Sequence, residues 1–266
     1  MENKRIVHLY EFALSQSDLE KLSDDEVAFL ATLGFAIDEI SIFQKLVVQA
    51  FSKKPKDTVL LNLNGIQVNT VTRSLCAKLF EALRIFENYR KMVDRSGDTK
   101  TKEKLDEYER ELTEFKRDPN YDLAKTIRDH STNHYLPSET KKNIKHVPAR
   151  ARFVAYLHEN QGNSFYPFGE EYVFFGRIGR YFSDEKKSGF AIDDIQNWIA
   201  WSLQISRWLN RMLSGYILWI HKERFPDLAL KKKTPYLEMD FFAELGEKPL
   251  PLIYSVKSHL AEKQKK

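Results

Sequence analysis

The chain has 266 residues, of which 42% are hydrophobic and 30% are charged, and its formal net charge is +4. This composition is typical of a soluble globular protein of one or two domains, and so mild a charge does not by itself indicate nucleic-acid binding. Cys76 is the only cysteine, which excludes an internal disulfide, and no apolar run reaches the length of a membrane-spanning helix. We therefore expect a soluble, cytoplasmic protein that does not associate with membranes.

The first half of the chain predicts three helices. Ser23 and Glu26 have the spacing of a capping box, and apolar residues recur at threes and fours through residues 24–51. A second amphipathic helix is predicted over residues 68–93 by the same periodicity. Residues 100–117 are very polar and carry only a thin apolar seam, which favours a helix at the edge of the molecule or against a partner.

A fourth helix is predicted over residues 121–135, since Pro119 precedes it and Pro137 ends it. Two short strands, residues 153–158 and 164–166, flank a glycine-containing turn and predict a β-hairpin. A short helix over residues 170–181 and a loop over residues 183–188 are predicted to follow.

The last long helix is predicted over residues 192–225. It is apolar on more than one side, which places it at the centre of a bundle. Several prolines follow and favour an irregular tail over residues 226–266. We find no internal repeat or clear linker, so we predict one all-α domain over residues 1–266, with a bundle core at about 24–225 and a small inserted β-hairpin.

The candidate site lies near the end of the fourth predicted helix, in residues 128–135, which read RDHSTNHY. Arg128 can hold a phosphate with a fork of donors, and His134 can take or give a proton near neutral pH. Metal-free cleavage of RNA requires both functions, because charge builds up on the phosphorane while protons move at two oxygens. His134 would be the base or the acid, Arg128 would stabilise the negative charge, and Asp129 would orient one of them.

The number of residues between the arginine and the histidine does not by itself identify the candidate pair. Arg152 and His158 have the same separation, but they lie in the predicted hairpin and apolar residues follow the arginine. Arg128 is followed by Asp129 and lies on a predicted helix among Ser, Thr and Asn. Local context therefore favours the first pair.

These residues resemble the signature of the HEPN superfamily, which is an Arg, then a polar residue, then a His after four to six intervening positions. Arg128, Asp129 and His134 fit it, and Tyr135 after the His is similar to the ending of many members. The resemblance implies an α-helical bundle, to which the hairpin is an addition. It also implies a metal-independent ribonuclease, often a toxin or defence effector with an antitoxin or other protein partner, that acts as a homodimer.

Basic residues follow the motif, and Lys141, Lys142 and Lys145 among them are candidates for guiding RNA. Contacts from such residues to phosphates need not be sequence-specific. On an ideal helix Arg128 and His134 point about 120° apart, so a two-fold dimer that brings two such helices together would help to complete a site.

Three other interpretations remain open. One is a non-catalytic HEPN-like module that binds RNA, a nucleotide or a protein. Another is a helical interaction protein whose aromatic-rich last helix forms an oligomer interface, with Arg128 and Asp129 a surface charge pair. His130 and His134 share a helical face, as metal ligands do, but no third ligand is identifiable, so we expect no metal and no cofactor.

Overall fold

The computed structural model describes residues 4–131, 137–149, 151–159, 161–184, 192–238 and 247–253. Most of this part of the chain is helical, as predicted. Its α-helices are α1 (Gln16–Leu19), α2 (Asp24–Phe51), α3 (Thr58–Ser96), α4 (Thr99–Arg117), α5 (Pro119–Ser131), α6 (Pro137–Asn143), α7 (Pro167–Gly169), α8 (Gly176–Asp184) and α9 (Ile192–Arg224). Within the same ranges, no helix is both long and apolar enough to cross a membrane.

Side-chain caps define where the long helices begin. Ser23 accepts a hydrogen bond from the backbone N–H of Glu26 at the start of α2. The Glu26 side chain does not complete the predicted capping box, because it turns into the core instead. Asp57 caps α3 by accepting from two backbone N–H groups, so this helix begins at Thr58 rather than near residue 68.

The core is formed mainly by α2, α3 and α9, with α4 and α5 packed on them. Three tryptophans of α9 are almost completely buried, namely Trp198, Trp201 and Trp208. The central position predicted for this helix is therefore confirmed. These three tryptophans pack within the bundle, whereas Leu218 of the same helix is 47% exposed, so an oligomer interface on α9 stays a prediction.

The predicted hairpin is reduced to a single antiparallel bridge between Tyr156 and Phe165, whose backbones exchange two hydrogen bonds of 2.9 Å. Pairing ends there because Pro167 has no N–H and begins α7. Two 3₁₀ turns, Ile144–His146 and Gln161–Asn163, lie in this region. A π-helical turn, Glu170–Phe175, then leads directly into α8, where one short helix was predicted.

Short strands join the two ends of the chain, which the sequence did not predict. They are β1 (Lys4–Ile6), β2 (Leu9–Glu11), β3 (Lys231–Lys233) and β4 (Tyr236–Glu238). β1 pairs antiparallel with β4, and β2 pairs antiparallel with β3. Two short strands thus lie within the segment after α9, for which the prolines had predicted an irregular tail.

Candidate functional site

Helix α5 positions the first half of the motif. It packs against α3 and α9 through three buried residues, Leu123, Ala124 and Ile127. The thiol of Cys76, on α3, donates to the backbone carbonyl of Ala124. Burial raises the pKa of Cys76 to about 12, so this cysteine is a core residue and not a nucleophile.

The structure places the Arg128 guanidinium between two carboxylates. Its Nη1 donates to Asp129 Oδ1 at 2.7 Å, and its Nη2 donates to Glu81 Oε1, on α3, at 2.9 Å. These hydrogen bonds, with Glu81 the larger contributor, raise the pKa of Arg128 above its ordinary value. The Arg128 side chain is 29% exposed, so it remains accessible from one side while its orientation is fixed.

Sequence reasoning associated Arg128 with Asp129 but missed Glu81. The two residues lie 47 positions apart, on helices whose relative rotation the sequence does not give. A glutamate on the polar side of an amphipathic helix has no feature that would single it out. The site is therefore more acidic than the motif alone suggests.

His134 lies outside the described residues, as does Tyr135, and the side chain of His130 is not described either. The helix predicted to about residue 135 is described as far as Ser131. The distance from Arg128 to His134 therefore stays a prediction. Among the described residues, no group of three or more His, Cys, Asp or Glu could hold a metal ion.

The candidate RNA-binding lysines lie on α6 and on the 3₁₀ turn that follows it. Lys141, Lys142 and Lys145 are all exposed. Lys142 forms an ion pair with Glu139, to which Arg180 also donates, at 3.3 Å. Lys141 and Lys145 have no ion-pair partner in the part of the chain that the structure describes, so their charge is available to an anionic ligand.

Two glycines of α8 let this lysine-bearing segment approach closely. A Cβ on Gly179 would lie 2.4 Å from the backbone oxygen of His146, closer than any real contact. A Cβ on Gly176 would lie 3.1 Å from the carbonyl oxygen of Asn143. The position of Lys141 and Lys145 on the molecule thus depends on the absence of side chains at these two positions.

Two cavities lie next to Val173 of the π-helical turn, which lines both. One, of about 720 Å³, is lined by Pro137, Ser138, Thr140, Lys141, Ile144 and Val173. The other, of about 520 Å³, is lined by Leu63, Ile66, Arg73, Ser164, Phe165, Tyr166, Gly169, Glu170, Val173 and Phe174. We call the two together the Val173 groove. Single π-helical turns are frequent at functional sites.

A nearly buried ion pair forms the inner wall of the Val173 groove. Two nitrogens of Arg73 donate to the two oxygens of Glu170, at 2.7 and 2.8 Å, and Asn69 donates to the same carboxylate at 3.3 Å. The guanidinium carbon of Arg73 also lies 4.8 Å from the centre of the Phe174 ring. These contacts fix the π-helical turn to α3. The pairing joins residues 97 positions apart, and no sequence pattern marked it.

The described part of the site thus offers an oriented guanidinium, two lysines without ion-pair partners and an adjoining groove with an aromatic wall. Helices α5 and α6 both pack against α8, which links the motif helix to the lysine-bearing segment. Comparison of the chain with protein-family models, with curated proteins and with solved structures finds no match.

Proposed function

We propose that the protein is a metal-independent endoribonuclease of the HEPN type, with Arg128 and His134 as catalytic residues and Asp129 as a positioning residue. The observation that supports this most directly is the guanidinium of Arg128. It lies near the end of a helix anchored in the core, partly exposed, and held in one orientation by Asp129 and Glu81. A cation fixed in this way needs little reorganisation when negative charge develops on a phosphate.

In this proposal RNA is cleaved by its own 2′-hydroxyl. A base removes the proton, the oxygen attacks phosphorus, and the 5′-oxygen leaves with a proton from an acid, which yields a 2′,3′-cyclic phosphate. His134 acts as the base or the acid, and Arg128 stabilises the phosphorane. A two-fold dimer would supply a second histidine for the other proton transfer. Lys141 and Lys145 bind neighbouring phosphates without reading sequence.

A second candidate function is a non-catalytic HEPN-like module that binds RNA. It is favoured by the two carboxylates that already contact Arg128, because a phosphate must compete with Glu81 and Asp129 for the guanidinium. In this case Arg128 stabilises the packing of α5 on α3, and RNA is held elsewhere on the basic surface.

The deciding experiment is RNA cleavage by the purified protein in EDTA, with wild type compared to Arg128→Ala and His134→Ala. Arg152→Ala and His158→Ala are matched controls, because that exposed pair has the same sequence separation. The nuclease predicts cyclic phosphate ends, lost in the first two variants and kept in the controls. Equal inertness of all five proteins towards varied RNAs would exclude the nuclease and leave the binding module.

Glu81→Gln separates the two roles of Arg128. The variant keeps the shape of the side chain and removes a negative charge next to the guanidinium. If Arg128 binds a phosphate in the transition state, cleavage is kept or increased, since the competing carboxylate is gone. If Arg128 only holds α5 against α3, Glu81→Gln lowers thermal stability and leaves RNA affinity unchanged.

The oligomeric state is part of the same proposal. We expect a homodimer, which sedimentation or light scattering would detect in solution. A protein that stays monomeric while cleaving RNA would remove the dimer from the mechanism without affecting the assignment of Arg128 and His134.

A further inference from the structure

We infer that the Val173 groove binds single-stranded RNA, with Tyr166 stacked on an unpaired base and Lys141 in contact with a phosphate. The inference rests on the proposed function, to which it adds a substrate class and a binding site separate from Arg128. Neither Tyr166 nor any other residue that lines the groove belongs to the motif at residues 128–135.

The aromatic part of this surface is unusually exposed. Tyr166 lines the groove and is 52% exposed, although large aromatic side chains are ordinarily well buried. Its ring meets Phe168 edge-on at 5.9 Å, and Phe168 stacks on Phe153 at 4.2 Å. Phe153 is itself 72% exposed. Three neighbouring rings thus form a continuous aromatic surface that the bundle does not cover.

Contacts made by residues before and after Tyr166 in the sequence fix the position of its backbone. The preceding residue, Phe165, pairs with Tyr156 through two backbone hydrogen bonds. Soon after it, Glu170 is fixed to Arg73 on α3. A ring on so constrained a backbone loses little conformational freedom when a base stacks on it, which favours binding.

The charges around the groove favour a polyanion. Arg73 and Glu170 neutralise each other, so among the described lining residues Lys141 supplies the remaining charge. Lys145 is exposed and lies next to Ile144, which lines the same cavity. The nearby carboxylate of Glu139 is already paired with Lys142 and Arg180.

An aromatic surface next to lysines without partners matches the two requirements of single-strand binding. Every base has a face that can stack on an aromatic ring, and every nucleotide carries a phosphate. A base in a duplex has both faces covered, so a stacking surface of this kind discriminates against double-stranded RNA.

The test is fluorescence anisotropy with an unstructured RNA of about 12 nucleotides, in EDTA and in a His134→Ala background so that RNA is not cleaved. Tyr166→Ala is expected to weaken binding about 5- to 150-fold, the range for loss of one stacked base, and Tyr166→Phe to stay near wild type. Lys141→Ala is expected to lower the slope of log affinity against log salt by about 0.7, as loss of one phosphate contact to a single strand does. Tyr10→Ala and Lys91→Ala are matched controls, since both side chains are exposed and lie outside the groove.

The outcomes separate this inference from the nuclease proposal. Binding that depends on Tyr166 upholds the groove whether or not the wild-type protein cleaves RNA. The inference is overturned if single-stranded RNA does not bind, if Tyr166→Ala behaves like Tyr10→Ala, or if a duplex of the same sequence binds as tightly. Equal binding of single-stranded DNA, with the same dependence on Tyr166, would overturn the assignment of RNA. In each case circular dichroism melts confirm that the variants are folded.

Discussion

Replacing Arg224 with alanine is expected to leave a buried carboxylate without its cation. Glu26 of α2 is only 1% exposed. One of its oxygens lies 2.7 Å from Arg224 Nη1, and the other accepts from the Tyr216 hydroxyl at 2.9 Å. Tyr89 lies 3.0 Å from the same hydroxyl and extends the network. Burial raises the pKa of Glu26 above its ordinary value, and Arg224 offsets part of that rise.

The loss of stability in Arg224→Ala is limited because the Glu26 carboxylate can become protonated. A buried glutamate can avoid its charge by taking a proton, which from an ordinary value of 4.5 costs about 3.4 kcal/mol at pH 7, at about 1.36 kcal/mol per pH unit. At pH 5 the same step costs about 0.7 kcal/mol. An acid whose pKa is raised on folding contributes stability below its unfolded pKa and loses it as pH rises. Because the Glu26 pKa is already raised in the wild type, this protonation cost is an upper limit, and we expect Arg224→Ala to lose at most about 3 kcal/mol near pH 7 and much less near pH 5.

Urea unfolding at both pH values measures these losses against wild type. Arg211→Ala is the matched control, because Arg211 is on the same helix and pairs with Glu111 at the surface, where both side chains are well exposed. A surface pair of this kind contributes about 0–1 kcal/mol. An Arg224→Ala loss that is equal at pH 5 and pH 7, or no larger than that of Arg211→Ala, would refute the reasoning about Glu26.

Two further predictions concern packing and reactivity. Gly179→Ala is expected to destabilise the protein by about 1–3 kcal/mol, because the new methyl group meets the His146 carbonyl oxygen and backbone must move. Its control is Gly34→Ala, where nothing lies within 4 Å, and equal melting temperatures for the two variants would contradict the close approach. The Cys76 thiol, buried and with its pKa raised to about 12, is expected to react with a thiol reagent only after unfolding. Rapid labelling of the native protein would show that α3 and α5 separate readily.

The helices were predictable to the extent that their signals are local. Ser23 and the apolar spacing after it mark α2, and the apolar character of α9 on several sides gives its central position. The start of α3 was missed because Asn64 and Gly65 are weak helix formers, whereas the cap that decides it is Asp57.

The strands were not predictable from local signals. β3 consists of three lysines, a composition that favours solvated surface over a strand. It pairs with β2, more than two hundred residues earlier in the chain. Three-residue strands carry too little periodicity to identify, and only the folded bundle brings these two segments together. The predicted hairpin failed for a different reason, because Pro167 has no N–H to extend the pairing beyond one bridge.

Within the site, contacts between residues adjacent in the chain were predictable, whereas contacts between different helices were not. Arg128 and Asp129 are adjacent in the chain, so their pairing needed no tertiary information. Glu81 contacts Arg128 only because α3 and α5 pack in one particular rotation. Tyr166 was assigned to a strand, and nothing in the sequence indicated that its ring would remain exposed.

The charges of the site imply a division of tasks between two parts of the surface. Because Glu81 and Asp129 already balance much of the Arg128 charge, this residue is poorly suited to attract RNA from solution. Lys141 and Lys145 have no such partners among the described residues and are better suited to that task. Attraction depends on free charge, whereas stabilisation of a transition state depends on a group already oriented before the charge develops. We therefore expect changes at Lys141 to alter affinity and its salt dependence, and changes at Arg128 to alter the rate of cleavage of RNA that is already bound.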